Sequence, residues 1–341
     1  MTPQPAVPLI DVREGAAAAH AARRRDQALA VREACLGWLP LGGVLARLAD
    51  PVVRRWMHRA GSAYRQEIEE IARTVGRPGV WLLHGAYLFG CTALADEGGQ
   101  GPRLRRTLDW PFPGLGRLVE VARQRGPAGE FLNVTWPGFV GVLTALAPGR
   151  FAAAINQAPM RRHTRGWALL WLDYAINAIG ALCRSGRLPP EHLLRQVFET
   201  APDFAAARHL LASVPLARPV IFILVGCGEG QRLVIERECT HARCYVDDTV
   251  VANAWRNMNG SWQGRVCGEG TSADNNRRRV QAMAAWTGRE ADNGRWAAPP
   301  VINDCTRLIV EMCPADGTLA VAGCEADGRG SAQPVTEFTR I

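Results

Sequence analysis

The sequence predicts an α+β fold: two stacked, mainly antiparallel sheets with helices outside them. Three observations carry this. Short extended runs rich in Val, Ile, Ala and Thr lie in both halves of the 341-residue chain. A block of helical character, residues 167–212, separates them. Clusters of Gly, Pro, Asp and Asn between the extended runs suit hairpins, and strand and helix do not alternate as a doubly wound parallel sheet requires.

The first 34 residues, rich in Ala and Arg without apolar periodicity, read as a flexible extension, and residues 35–341 as one domain. The apolar run at 36–45 suits a core or pocket role, with peripheral lipid contact as the other reading. Tyr64, Ile68, Ile71, Ala72 and Val75 fall at helical spacing, and Gly76 with Pro78 ends that helix. Strands are predicted at 91–95, 103–109, 131–136, 140–146 and 151–156. The segment 167–183 is apolar nearly all round and predicts a buried helix. Pro189 and Pro190 open a second helix over 191–200, and 203–212 forms a third. Further strands are predicted at 220–225, 232–237, 248–253, 301–312 and 318–322.

Composition narrows the chemistry. All 40 basic residues are arginine, and the chain has no lysine. Schiff-base, P-loop and lysine-base chemistry are thereby excluded. The net charge of +8 is spread along the chain, with triplets only at 23–25 and 277–279, so it reads as a solvated surface rather than a nucleic-acid site. The ten cysteines are scattered and no signal peptide precedes them, which predicts a cytoplasmic protein. Cys239 and Cys244 lack a second ligand pair, the glycines at 226–230 fit a hairpin turn, and no HExxH or GxSxG occurs. No metal or cofactor is predicted, and no run is long enough to span a membrane. Oligomeric state stays open, a homo-oligomer included.

Cys91 reads either as a small buried hydrophobe or as a candidate nucleophile, and spacing alone does not decide between the two. Arg106 and Asp109 follow it across a cluster of turn formers at 96–102, so a hairpin can set them beside the thiol. A guanidinium there favours the thiolate. None of the seven histidines shows an evident pairing with Cys91; His84 precedes it and is the nearest in sequence.

Several segments carry a family likeness. Tyr64-Arg65-Gln66-Glu67-Ile68, Val80-Trp81-Leu82-Leu83, Cys91-Thr92 and the run from Arg106 to Phe112 resemble the region around the processing site of acid ceramidase and N-acylethanolamine acid amidase. Trp136 to Ala145 and Pro148 to Asn156 extend the likeness, which covers about residues 60–341. These enzymes are N-terminal nucleophile hydrolases, with choloylglycine hydrolase, penicillin V acylase and isopenicillin N acyltransferase as more distant relatives.

The resemblance implies a four-layered αββα sandwich and autocatalytic scission of Gly90–Cys91. An α-chain ending at residue 90 (its domain part 35–90) and a β-chain of 91–341 would result. The freed α-amine, with an ordinary pKa of about 7.7 to 8.0, would then serve as the base. Cys91 would form an acyl-thioester with a small N-acylated substrate, and water would complete hydrolysis of its linear amide. Acyl transfer through the same thioester, and an uncleaved ligand-binding relative, are the alternatives. By motif match Arg106 lies near the thiolate, Asp109 holds the α-amine and Asn253 donates to the oxyanion, although Ala252 stands where the family has threonine. Asn156 matches a family asparagine, but Gln157 replaces the glutamate that follows it in the ceramidase branch. In Asn276-Arg277-Arg278 one arginine should face the site; Arg277 is the candidate and Arg278 its rival.

Overall fold

The computed structural model describes residues 4–37, 41–86, 89–247, 249–266, 270–286 and 294–341. The N-terminal part carries β1 (Leu9–Asp11), α1 (Ala16–Arg23), α2 (Arg25–Leu36), α3 (Gly42–Ala60), α4 (Arg65–Val75) and α5 (Val80–Gly85). Next come β2 (Gly90–Gly98), β3 (Gly101–Asp109), β4 (Glu120–Gly126), β5 (Gly129–Thr135), β6 (Thr144–Ala147), β7 (Phe151–Gln157) and β8 (Met160–Arg161). The helical block is α6 (Leu170–Cys183), α7 (Pro190–Thr200) and α8 (Phe204–Ser213). It leads into β9 (Val220–Gly226), β10 (Arg232–Arg237), β11 (Ala242–Tyr245), β12 (Val250–Val251) and β13 (Trp262–Gln263). The chain closes with α9 (Ser272–Ala284), β14 (Thr306–Cys313), β15 (Thr318–Ala326), β16 (Ala332–Pro334) and β17 (Thr339–Arg340).

Among the described residues the strands form two large sheets. One runs β1-β4-β5-β6-β7-β9-β10-β11, antiparallel except for the β1–β4 pair. The other runs β12-β2-β3-β14-β15-β16, with β17 also on β15. Strand alternation decides what each face buries. Ala152, Ala154, Ile221 and Ile223 of the first sheet share a core with Cys91, Ala93, Leu108 and Val310 of the second. The alternate residues Phe131 and Phe151 lie against Phe198 of α7, ring centroids 5.5 and 4.9 Å away. On the far side α9 lays Met283 against Leu94, Ile309 and Ala322. Helix, sheet, sheet and helix thus stack in that order, the α+β architecture that the sequence predicts.

Three expectations change. Residues 1–34 are no loose extension where they are described. β1 joins the first sheet, and Ala17, Ala21 and Ala28 are buried against Ile68, Ile71 and Val75. Glu67 Oε1 accepts the Ala17 and Ala18 N–H groups at 2.6 and 3.1 Å, satisfying the open first turn of α1. His20 Nε2 lies 2.7 Å from the buried Glu120, and Arg24 binds the same carboxylate. Alanine carries too little apolar signal to announce such packing.

The helix predicted at 167–183 forms, but its side chains are not buried. Trp171 and Ile179 are 66% and 59% exposed, and Asp173 is the helix's buried residue. Asp173 accepts from Arg162 Nε, the His163 and Thr164 N–H groups and Thr164 Oγ1, at 2.6 to 2.9 Å. The run at 36–45 divides likewise: Leu36 is core, whereas Leu41, Val44 and Leu45 are exposed, and 38–40 lie outside the described residues. Among the described residues no helix is long and apolar enough to cross a membrane.

Candidate active site

The β2–β3 hairpin aligns Gly90 with Asp109, Cys91 with Leu108 and Ala93 with Arg106. Cys91 and Arg106 are therefore diagonal neighbours on the face between the sheets. Arg106 Nη2 approaches Cys91 Sγ to 2.7 Å. The guanidinium is fixed by three further acceptors, the Leu143 and Ile155 carbonyls and Thr144 Oγ1. Sγ itself donates to the Ile155 carbonyl at 3.6 Å. Burial pushes the Cys91 thiol up to about 11 despite the Arg106 charge that opposes it, so the sealed site holds a neutral thiol near pH 7.

The same alternation sends Asp109 to the opposite face. There Thr306 Oγ1 donates to Asp109 Oδ1 at 2.7 Å, and Arg279 of α9 stands 3.5 Å from Oδ2. Arg279 is fully buried and reads the backbone of the nucleophile. It donates to the Cys91 carbonyl at 2.8 Å, to Thr92 Oγ1 at 3.0 Å and to the Asn253 and Asn276 side-chain oxygens at 3.1 Å.

Asn253 arrives through β12, whose Val251 pairs with Ala93; two residues further the register brings Asn253 opposite Cys91. Its Oδ1 accepts the Cys91 N–H at 2.8 Å, and its Nδ2 donates to the Gln157 carbonyl at 2.9 Å. Asn156 bridges from the other sheet, donating to the Val251 and Ala252 carbonyls, while its buried Oδ1 has no hydrogen-bond partner. Gln157 Oε1 accepts the Phe89 N–H at 2.8 Å and so fixes the residue two before Cys91.

Cys91, Arg106, Asp109, Asn253 and Asn156 all lie near Gly90–Cys91, but Asp109 is bonded to Thr306 on the opposite face of β3, and it is Asn253, not the expected Asp109, that holds the Cys91 nitrogen. Arg277 lies elsewhere. It is 63% exposed and pairs with Asp274 at 2.5 Å; Arg278 is exposed as well. Arg279 occupies the place expected of one of them. Thr306 was unmarked in the sequence, for one threonine among strand residues carries no distinguishing pattern.

His84 is fully engaged elsewhere. Its Nδ1 bonds to the Val80 carbonyl and its Nε2 accepts the Val140 N–H, while burial lowers its pKa to about 4. Beside it an apolar cavity of about 70 Å³ lies between Ala28, Val31, Trp110, Phe112, Trp136 and Phe139. Phe89 packs edge-on to Trp110 at 6.0 Å, which puts the cavity just upstream of Cys91. No group of three or more His, Cys, Asp or Glu side chains suited to a metal occurs among the described residues.

No family model matches the chain. It is similar to N-acylethanolamine-hydrolyzing acid amidase of Cavia porcellus, 30% identical over 159 residues, 46% of this chain and 41% of that protein. It is similar also to acid ceramidase of Heterocephalus glaber, 30% identical over 120 residues, 35% of this chain and 28% of that protein. The chain thus spans less than half the length of the curated relatives it matches. Among solved structures, a Caenorhabditis elegans ortholog of the acid amidase aligns over 66% of this chain and 93% of its own, at 17% identity and a TM-score of 0.49. Conjugated bile acid hydrolase from Clostridium perfringens aligns over 74% and 95%, at 10% identity and a TM-score of 0.42. Over less than half its length, then, the chain is by sequence a homologue of proteins named N-acylethanolamine-hydrolyzing acid amidase and acid ceramidase.

Proposed function

We propose that the chain is an amide hydrolase that matures by cutting its own Gly90–Cys91 bond and then uses Cys91 as nucleophile and base together. One observation carries the reading: Sγ lies 2.7 Å from Arg106 Nη2 while the nitrogen of the same residue is held by Asn253 Oδ1 at 2.8 Å. Sulfur and nitrogen of one amino acid are each already placed.

In maturation Sγ attacks the Gly90 carbonyl carbon. The C–N bond breaks, the thiol proton passes to nitrogen, and Gly90 becomes a thioester on Cys91. Water hydrolyses the thioester, leaving the Gly90 carboxylate and a free Cys91 thiol and α-amine. The Phe89 N–H···Gln157 bond steadies the leaving strand, and Arg279 on the Cys91 carbonyl steadies the strand that remains.

In turnover the amine takes the thiol proton, Sγ adds to the substrate's amide carbonyl, and an oxyanion develops. Asn253 Nδ2 donates to that oxygen once it exchanges the Gln157 carbonyl for it. The tetrahedral adduct expels the amine, which leaves with the proton, and water releases the carboxylic acid. Arg106 stabilises charge on sulfur throughout. The apolar cavity beside Phe89 suits the acyl chain. Exposed Leu41, Val44, Leu45 and Leu48 on and before α3, interspersed with Arg47, support peripheral contact with a lipid surface from which such a substrate is drawn. A cytoplasmic location remains the expectation from the sequence.

Intact mass under denaturing conditions tests this. The purified protein resolves into residues 1–90 and 91–341, and Cys91→Ala stays a single chain of 37.1 kDa without amidase activity. An active wild type that remains uncut sinks the proposal.

A further inference from the structure

Asn253 and Asn276 share one backbone neighbour. Arg265 donates its N–H to the Asn253 carbonyl at 3.2 Å and accepts from Asn276 Nδ2 at 2.8 Å. Since Asn253 Oδ1 holds the Cys91 N–H, Arg265 stands one residue layer from the nucleophile. Its half-buried side chain extends to α6, where Nη1 meets the Tyr174 hydroxyl at 3.3 Å. Among the described residues no carboxylate pairs with it. The nearby acids are taken: Asp173 by Arg162 and Asp274 by Arg277. Arg161, opposite Trp262 in the β8–β13 pair, adds another exposed cation to this side.

Arg265, Tyr174 and Arg161 are not among the residues lining the apolar cavity, which meets the site through Phe89 and Trp110. A substrate laid with its acyl chain there and its carbonyl at Cys91 turns its amine half toward Asn253 and Arg265. A guanidinium with no carboxylate of its own, paired with a hydroxyl free to donate its proton, is suited to receive a carboxylate. The carboxylate of an N-acyl amino acid is two bonds from the amide nitrogen, within the span of an arginine side chain.

We infer that Arg265, with the Tyr174 hydroxyl, binds an anionic group on the amine half of the substrate, so that N-acyl amino acids are preferred over neutral N-acyl alkanolamines. This rests on the amide-hydrolase reading above. It gives the cationic side of the site a use that a neutral leaving amine does not.

The test compares N-dodecanoylglycine with N-dodecanoylethanolamine, equal in acyl chain and close in size but different in charge, on processed wild type, Arg265→Gln and Arg265→Lys. Wild type favours the glycine conjugate in kcat/KM by at least about tenfold. Arg265→Gln raises KM for that conjugate by about ten- to a hundredfold with kcat nearly constant, moves the ethanolamide constants by less than about threefold, and is partly rescued by lysine. A wild type indifferent to charge, or a Gln variant that loses both substrates alike, overturns the anion site while leaving the hydrolase reading intact. A chain that stays uncut and hydrolyses neither substrate overturns both.

Discussion

Arg277 and Arg279 stand two positions apart on α9, and only the helical period separates their roles. Asn275, Asn276, Arg279 and Met283 are the buried residues of that helix, spaced as one face, whereas Arg277 and Arg278 point to solvent. Arg279→Gln removes charge-assisted bonds to the Cys91 carbonyl and to Asn253, and slows scission by at least about tenfold in a time course of precursor loss. Arg277→Ala, which gives up one exposed pair, shifts the unfolding free energy by less than about 1 kcal/mol and leaves scission at the wild-type rate. Matching rates for the two variants contradict this assignment. That Cys91 and Arg106 meet was legible from a hairpin, although the family likeness rather than the spacing singled them out. Arg279 was not, because local likeness pointed to Asn276-Arg277-Arg278, and the face of a helix is fixed by what it packs on.

At the level of elements, legibility followed hydrophobic contrast. β2, β7, β9 and β10 are largely apolar runs between turn formers and fell near their predicted bounds, as did β3, whose three arginines alternate poorly but which the turn cluster before it marked. β4, with Glu120 and Gln124 among its buried residues, reads as polar and was missed; its carboxylate is bound by His20 and Arg24. α6 misled in the opposite sense, since an apolar helix reads as core although this one is pinned by its polar residues, Asp173 and Asn177 among them, and exposes apolar side chains such as Trp171 and Ile179. The missed N-terminal elements have a consequence for maturation. β1 is paired to β4, and Arg195 of α7 grips Glu67 of α4 at 2.5 Å while lying 4.2 Å over the Tyr64 ring. Severed protein therefore elutes from gel filtration without denaturant as one species containing both pieces; separate elution of the short piece refutes that.

For the whole molecule, two buried histidines tie residues before 90 to those after. His84 accepts the Val140 N–H, and His192 Nδ1 meets Ser62 Oγ at 2.8 Å. Desolvation lowers both, His84 to about 4 and His192 well below its ordinary value. Between pH 6.5 and 4 the unfolded chain therefore binds protons that the folded one refuses. The stability these groups contribute is complete above about pH 6.5 and falls as the pH drops, by about 3 kcal/mol from His84 alone by pH 4. Urea midpoints at pH 7.5 and 4.5 should differ more in wild type than in His84→Gln; equal differences contradict the coupling. The absence of lysine bears on the hydrogen bond between Asn253 and the nitrogen of Cys91. These 341 residues carry no side-chain amine, so maturation adds one new amine, held on an asparagine. Reagents that acylate amines would then find on the unfolded mature chain a group that the unripe chain lacks, a built-in tally of how many molecules have ripened.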